Sequence, residues 1–423
     1  MFRFQRCCVA VLVLVSAASA RAEEFFFRDG DVVVMIGDSI TEQHLYSNYV
    51  EMWTVTRHPN WKLTFRNVGI GGDRSVGGNG RFTRDVLLHK PTAMTVDFGM
   101  NDGGYGAFSD KVFKPYMDGL QGMADQAKAA NIRVAWATPQ PLDTDEPGPT
   151  ALVGYNQTLE QFSDGVKVIA EKNSGVFVDQ FHPYLAALDG ARGKGSKYER
   201  ITAGDAVHPG PPGQALMAAS ILKGLSFPSL VSSVEIDGRS GKVLAANNCT
   251  VENVSAKDGR VSFSRLDAAL PFFPADAVSI LSHAPILEEL NDYRLKVTGL
   301  GRGSYEVRVG GSRIAELTHD QLADGANLAA GALKEGPIAD QVNAVRVAVE
   351  NKNKFHHDAI FRGIVLTNVS IPDWLDLRIT PQEIEAKRQA AIADRLAKLP
   401  ALDAEIAKAL VMKAHIIEIV PVK

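Results

Sequence analysis

Val32-Val33-Val34-Met35-Ile36-Gly37-Asp38-Ser39-Ile40-Thr41 decides how the rest of the chain is read. Its first five residues are apolar and three of them are valines, the composition of a strand buried inside a sheet. The run stops at Gly37-Asp38-Ser39, and beyond it Leu45, Tyr49, Met52, Trp53 and Val55 recur at roughly helical spacing. A serine at the C-terminal end of a strand, just before a helix, is well placed for nucleophilic work. Its N–H also lies near a helix start, where negative charge is favoured. Gly-Asp-Ser is equally an ordinary turn and N-cap. The remainder of the chain separates the two readings.

Upstream, Arg3 and Arg6 precede an apolar stretch from Cys7 to Val15, and Ala20-Arg21-Ala22 fits the small-x-small cleavage rule. This predicts a signal peptide over 1–22, cleaved after Ala22, and a secreted or periplasmic protein. The apolar stretch is shorter than the about 20 residues a membrane span needs, and no later segment reaches that length, so no stable span is expected in the mature chain. Cys7 and Cys8 leave with the signal, and Cys249 reads as a small buried hydrophobe. A length of 423 residues leaves room for two or three domains. Formal net charge is −4 with no block of like charge, which predicts no nucleic-acid partner.

Downstream, strands are expected at Asp31 to Ile36, Trp61 to Val68, Thr92 to Phe98, Ile132 to Thr138 and Gly175 to Asp179. Helices are expected at Leu45 to Arg57, Thr83 to Leu88, Lys111 to Ala130, Ala151 to Lys172 and Gly213 to Leu225, with a looser segment before Asp205. This alternation predicts a parallel sheet with helices on both faces and functional loops at its C-terminal edge. After Phe227-Pro228 the texture changes. Val231 to Val309 alternates short apolar runs with turn signals and reads as β-rich; His319 to Asn353 reads as helical, Phe361 to Val369 as a strand, and the tail beyond Pro372 as helical. The expected organisation is a catalytic domain over 23–228, a β-rich accessory module with a helical part over 229–370, and a helical C-terminal tail over 371–423.

Four short signals follow one another: Gly37-Asp38-Ser39, Gly72 in a glycine-rich loop, Gly99-x-Asn101-Asp102, and Asp205-x-x-His208. Each alone is weak; together they supply the parts of an acyl-transfer site. Serine needs a base to take its proton, and His208 is the candidate. A carboxylate on the far imidazole nitrogen holds the tautomer, and Asp205 is within one turn. The N–H of Ser39, the N–H of Gly72 and the side-chain amide of Asn101 are candidate oxyanion donors.

This order resembles the SGNH (GDSL) hydrolase superfamily, with Gly37 to Thr41 as its first block, Asn67 through Gly72-Asp73 as its second, Gly99 to Asp102 as its third and Asp205 to His208 as its last. The resemblance spans Asp31 to about Leu225. It implies a flavodoxin-like three-layer α/β/α fold, esterase-type chemistry, no cofactor and no metal. Gly-x-Ser-x-Gly is absent, since Thr41 stands two residues after Ser39, so an α/β-hydrolase elbow is excluded. The expectation is a secreted serine ester hydrolase with catalytic Ser39, His208 and Asp205, acting on a small-molecule or polysaccharide ester, foremost as a carbohydrate O-acetyl esterase. A lysophospholipase or thioesterase acting on lipid acyl groups is one alternative, and an idle carbohydrate-binding protein of the cell envelope is another. Asp38, Asp73 and Tyr105 are candidate substrate contacts. His356-His357 beside Asp358 reads as solvated surface in preference to a metal pair, because adjacent side chains diverge.

Overall fold

The computed structural model describes residues 24–143, 152, 154–193, 200–368, 370–372, 374 and 378–422. The predicted signal peptide at 1–22, most of the loop after Pro139 and the first residue of the helix expected from Ala151 lie outside the described residues.

The first unit alternates strand and helix. It runs β1 (Val32–Gly37), α1 (Ser39–Glu42), α2 (Leu45–Arg57), β2 (Thr64–Asn67), α3 (Ser75–Gly80), α4 (Phe82–Asp85), β3 (Ala93–Asp97), α5 (Asp110–Ala129), β4 (Arg133–Ala137), α6 (Tyr155–Lys172), β5 (Val176–Val178), α7 (Phe181–Arg192) and α8 (Pro211–Gly224). The five strands are parallel in the order β2-β1-β3-β4-β5. That order is flavodoxin-like and reverses between β1 and β3, which opens a crevice beyond their C-terminal ends. Period-two alternation builds the layers. Val33 and Met35 join α2 and α8 in one buried cluster, while Val34 and Ile36 join α5 and α6 in another. The helix α7 was not expected. Pro183 in its first turn and Gly190 near its end hide a buried stripe of Phe181, Tyr184, Ala187 and Leu188.

The remainder continues with β6 (Leu230–Asp237), β7 (Lys242–Asn247), β8 (Cys249–Lys257), β9 (Arg260–Asp267), α9 (Ile286–Leu290), β10 (Asp292–Thr298), β11 (Ser304–Val309), β12 (Ser312–Thr318), α10 (His319–Asp324), β13 (Ala326–Asn327), α11 (Ala329–Lys334) and α12 (Pro337–Phe355). A π-helix (His356–Val365), α13 (Pro381–Leu396), α14 (Leu399–Ala409) and β14 (His415–Pro421) complete it. Two sheets form, β13-β10-β6-β7 and β12-β11-β14-β9-β8. Val234, Ile236, Leu295 and Val297 of the first share a core with Phe263, Val307, Ile417 and Ile419 of the second.

Two expectations fail here. The described part of the expected strand Phe361 to Val369 is not a strand, Val369 lying outside the described residues: Ile360, Phe361 and Val365 are buried beside His356 at the wide spacing of a π-helix. The chain end is not helical: β14 pairs with both β11 and β9, and buries Ile417 and Ile419. Their alternation with Ile416, Glu418 and Val420 is a strand period, and a strand in mid-sheet needs partners distant in sequence.

The two regions meet on α2, which is buried along almost its whole length. Trp53 packs edge-on against Phe272, with ring centroids 5.0 Å apart. Arg57 donates to the Leu230 carbonyl at 3.1 Å and to the Leu290 carbonyl at 2.9 Å. Lys352 of α12 is ion-paired with Glu51, both fully buried, and Asn353 donates to Glu51 at 2.8 Å. No helix among the described residues is long and apolar enough to cross a membrane.

Candidate functional site

The crevice between β1 and β3 collects the sequence signals. Asp38 follows β1 and caps α1, its Oδ1 accepting the Ile40 N–H at 2.9 Å. That cap places Ser39 at the first position of α1, half-buried at the open end of the sheet. Ser39 Oγ lies 2.9 Å from His208 Nε2. His208 Nδ1 faces Asp205 Oδ2 at 3.0 Å. A carboxylate at Nδ1 favours the tautomer protonated there, which leaves the Nε2 lone pair turned to the serine hydroxyl.

Asp205 is exposed, yet well held. Its Oδ1 accepts the backbone N–H groups of Val207 and His208, both at 2.7 Å. The residual burial of its carboxylate pushes its pKa up, but the His208 N–H, the His208 ring and the Val207 N–H outweigh that, and the net pKa is lowered. The tight Asp-x-x-His spacing is thus a local turn that closes on its own histidine.

The glycine loop lies across α1. A Cβ at position 69 would stand 2.4 Å from the Glu42 nitrogen, so no side chain fits there. The Asp73 N–H returns to the Ile70 carbonyl at 3.2 Å, and Gly72 has φ +73°, the conformation such a turn reserves for glycine. Among the described residues, the N–H groups of Ser39 and Gly72 have no hydrogen-bond partner in the chain. Asn101 differs. Its amide donates to Asp38 Oδ2 at 3.2 Å and to the Asp73 carbonyl at 3.1 Å. Both amide hydrogens are engaged at long distance, so an oxyanion has to share or displace one.

The three expected substrate contacts are each bonded to a neighbouring residue of the chain. Asp38 is buried against Ile40 and Asn101, and its pKa is raised well above the carboxylate range, first by burial and then by the Asp97 charge. Asp73 forms an ion pair with Arg81 at 2.7 Å. Tyr105 donates its hydroxyl to Asn101 Oδ1 at 3.0 Å and holds φ +59°, an unusual backbone for a bulky residue. In this state each of them supports a neighbour.

Arg81 and Asp97 carried no sequence signal, while Asp102 stood in the third block without an assigned role. Arg81 donates to the Gly37 carbonyl at 3.1 Å and the Val68 carbonyl at 2.6 Å, which ties the ends of β1 and β2 together. Asp102, next to Asn101, accepts from the Ser75 N–H at 2.9 Å and hydroxyl at 2.7 Å; burial raises its pKa to about 6. Asp97 is pushed up to about 7 by burial, against a 3.0 Å hydrogen bond from Gln180. His356 is buried, with Nε2 3.3 Å from His89, so the solvated-surface reading of His356-His357 fails at its first member. Cys249 is half-buried and its thiol pKa is raised by burial, the behaviour of a packing residue.

Residues 35–216 match the family model described as GDSL-like Lipase/Acylhydrolase. An acetylxylan esterase of Geobacillus stearothermophilus is 25% identical over 222 residues, which cover 47% of this chain and 95% of that protein. Among solved structures, a gut microbial diltiazem-metabolizing enzyme superposes with a TM-score of 0.78 at 23% identity, over 94% of this chain and 98% of its own. That likeness shows the fold, including the C-terminal region. An acetylxylan esterase structure from Geobacillus stearothermophilus gives a TM-score of 0.40 at 24% identity, over 47% of this chain and 96% of its own.

Proposed function

We propose that the domain at residues 35–216, which matches the GDSL-like lipase/acylhydrolase model, makes this chain a serine esterase, and that it removes O-acetyl groups from carbohydrate with a Ser39-His208-Asp205 triad. The observation that carries the triad is the run Ser39 Oγ, His208 Nε2, His208 Nδ1, Asp205 Oδ2, with contacts of 2.9 and 3.0 Å.

In the proposed reaction, His208 Nε2 takes the Ser39 proton as Oγ attacks the acetyl carbonyl. Asp205 holds the imidazolium that forms. The carbonyl oxygen becomes an oxyanion and receives the Ser39 and Gly72 N–H groups, with one Asn101 hydrogen drawn from its present acceptor. The tetrahedral intermediate then collapses, the bond between the acyl carbon and the sugar oxygen breaks, and His208 gives its proton to that oxygen, which departs as the sugar hydroxyl. Water then attacks the acetyl-serine by the same route, and acetate departs.

Two observations support a polymeric acetyl ester. A relative 25% identical over 222 residues, which span 95% of its length, is an acetylxylan esterase. His208 is half-exposed and Asp205 exposed, so the site is reachable from a chain that cannot enter a closed tunnel. The predicted leader at 1–22 supports an exported enzyme; the N-terminal residue of the mature protein, expected at Glu23, tests that. Acetate release from acetylated xylan, compared with cleavage of p-nitrophenyl acetate and octanoate, tests the substrate. Preference for the octanoyl ester with no acetate from polymer would favour the lipid-acyl alternative. Failure of a fluorophosphonate to label Ser39 would favour the idle binding protein.

A further inference from the structure

Taking that oxyanion reading of the site, we propose that Glu42 is a positioning residue for the glycine loop, and that the C-terminal π-helix keeps Glu42 in place and offsets its negative charge through Arg362. The Glu42 carboxylate is shared between two parts of the chain far apart in sequence. Its Oε2 accepts the Gly71 N–H at 2.7 Å, one residue before the Gly72 donor. Its Oε1 is ion-paired with Arg362, and His357 Nε2 lies 3.9 Å from the same oxygen. Arg362 and His357 both belong to the π-helix.

The fit around Gly71 is close. A Cβ there would lie 2.9 Å from Glu42 Oε2 and 3.9 Å from Ser39 Cβ. Gly71 is therefore held between the carboxylate and the nucleophile. The π-helix is itself anchored. It continues α12, whose Lys352 and Asn353 are tied to Glu51, and Arg395 of α13 donates to the Ala359 carbonyl at 2.5 Å. The path from the C-terminal region to the oxyanion donors is thus two contacts long.

The charges set the consequence. A bare carboxylate beside an oxyanion opposes the charge that develops in the transition state. Arg362 cancels it while Oε2 still accepts the loop N–H. The Glu42 side chain is 16% exposed, and removing Arg362 leaves its Oε1 with only the more distant His357 to offset the charge. The loss then falls on the transition state and leaves ground-state binding of a small ester unchanged.

The test measures kcat and KM on p-nitrophenyl acetate, with thermal melting, for Arg362→Ala, Arg362→Lys, Glu42→Gln and the double variant Glu42→Gln/Arg362→Ala. Glutamine keeps an acceptor for the Gly71 N–H and removes the charge. We expect Arg362→Ala to lower kcat about tenfold with little change in KM, below the ~10²-fold that a full ångström of misplacement costs. Arg362→Lys and the double variant should recover most of it. Wild-type kcat in Arg362→Ala, a change confined to KM, or a double variant no better than Arg362→Ala would overturn the proposal. Ser39→Ala is the control. If it stays active, the underlying site reading has failed, and not merely the role of Glu42.

Discussion

His208 reaches Ser39 across 169 residues of chain, with Nε2 2.9 Å from Oγ, because the loop after α7 and the end of β1 meet at one edge of the sheet. Ser39→Ala leaves the α1 cap on Asp38 intact and should fold normally. It should lose about 10³-fold or more in kcat, as a unit in which serine and base act together requires. Progress curves with p-nitrophenyl acetate on a preparation free of wild-type enzyme check this; activity within tenfold of wild type would refute the nucleophile.

Asn101 is held from three sides, by Asp38, by the Asp73 carbonyl and by the Tyr105 hydroxyl. Asn101→Ala should reduce kcat by about 10²–10³-fold with a smaller change in KM, since the donated bond strengthens as the oxyanion forms. Tyr105→Phe, which frees the amide to turn, should show the same pattern at smaller magnitude. A pure KM effect in both would assign Asn101 to substrate binding.

Asp97 makes stability depend on pH near neutrality. Its folded pKa, about 7, exceeds the ordinary 3.8, so the native state binds the proton more tightly than the unfolded chain. Its contribution is therefore fully favourable below the unfolded value and is lost as pH rises through about 7. The span corresponds to about 4 kcal/mol at most. Asp97→Asn should flatten the fall in urea midpoint between pH 5 and pH 8. An unchanged slope would show that Asp97 does not set it.

Lys352 and Glu51 join the C-terminal region to α2 without solvent. Lys352→Met strands the Glu51 charge and should cost about 3 kcal/mol or more in urea unfolding. Adding Glu51→Gln should return most of that, because no buried charge then lacks a partner. Equal midpoints for wild type and Lys352→Met would show that the pair contributes nothing to docking.

Apart from α7, the main strands and helices of the α/β unit were legible in the sequence because their signals are local. Val32 to Ile36 alternate between two apolar faces, α2 spans the expected Leu45 to Arg57, and Ser39, Gly72, Asn101 and His208 each close a strand or a loop. What stayed hidden depends on contacts distant in sequence. The π-helix has a buried period that only the pocket beside α2 and His89 makes meaningful, and β14 becomes a strand because β9 and β11 wait on either side.

By itself the sequence determined which residue types stand at strand ends and in what order, since strand period, turn chemistry and the Asp205-to-His208 spacing act within a few bonds. Tertiary structure alone decided that Asp38 accepts from Asn101, Asp73 pairs with Arg81, Tyr105 donates to Asn101, and Glu42 answers to Arg362. The physical reason is that a carboxylate or an amide is satisfied by whatever donor lies within about 3 Å. Which donors lie there is settled by the packing of the whole chain.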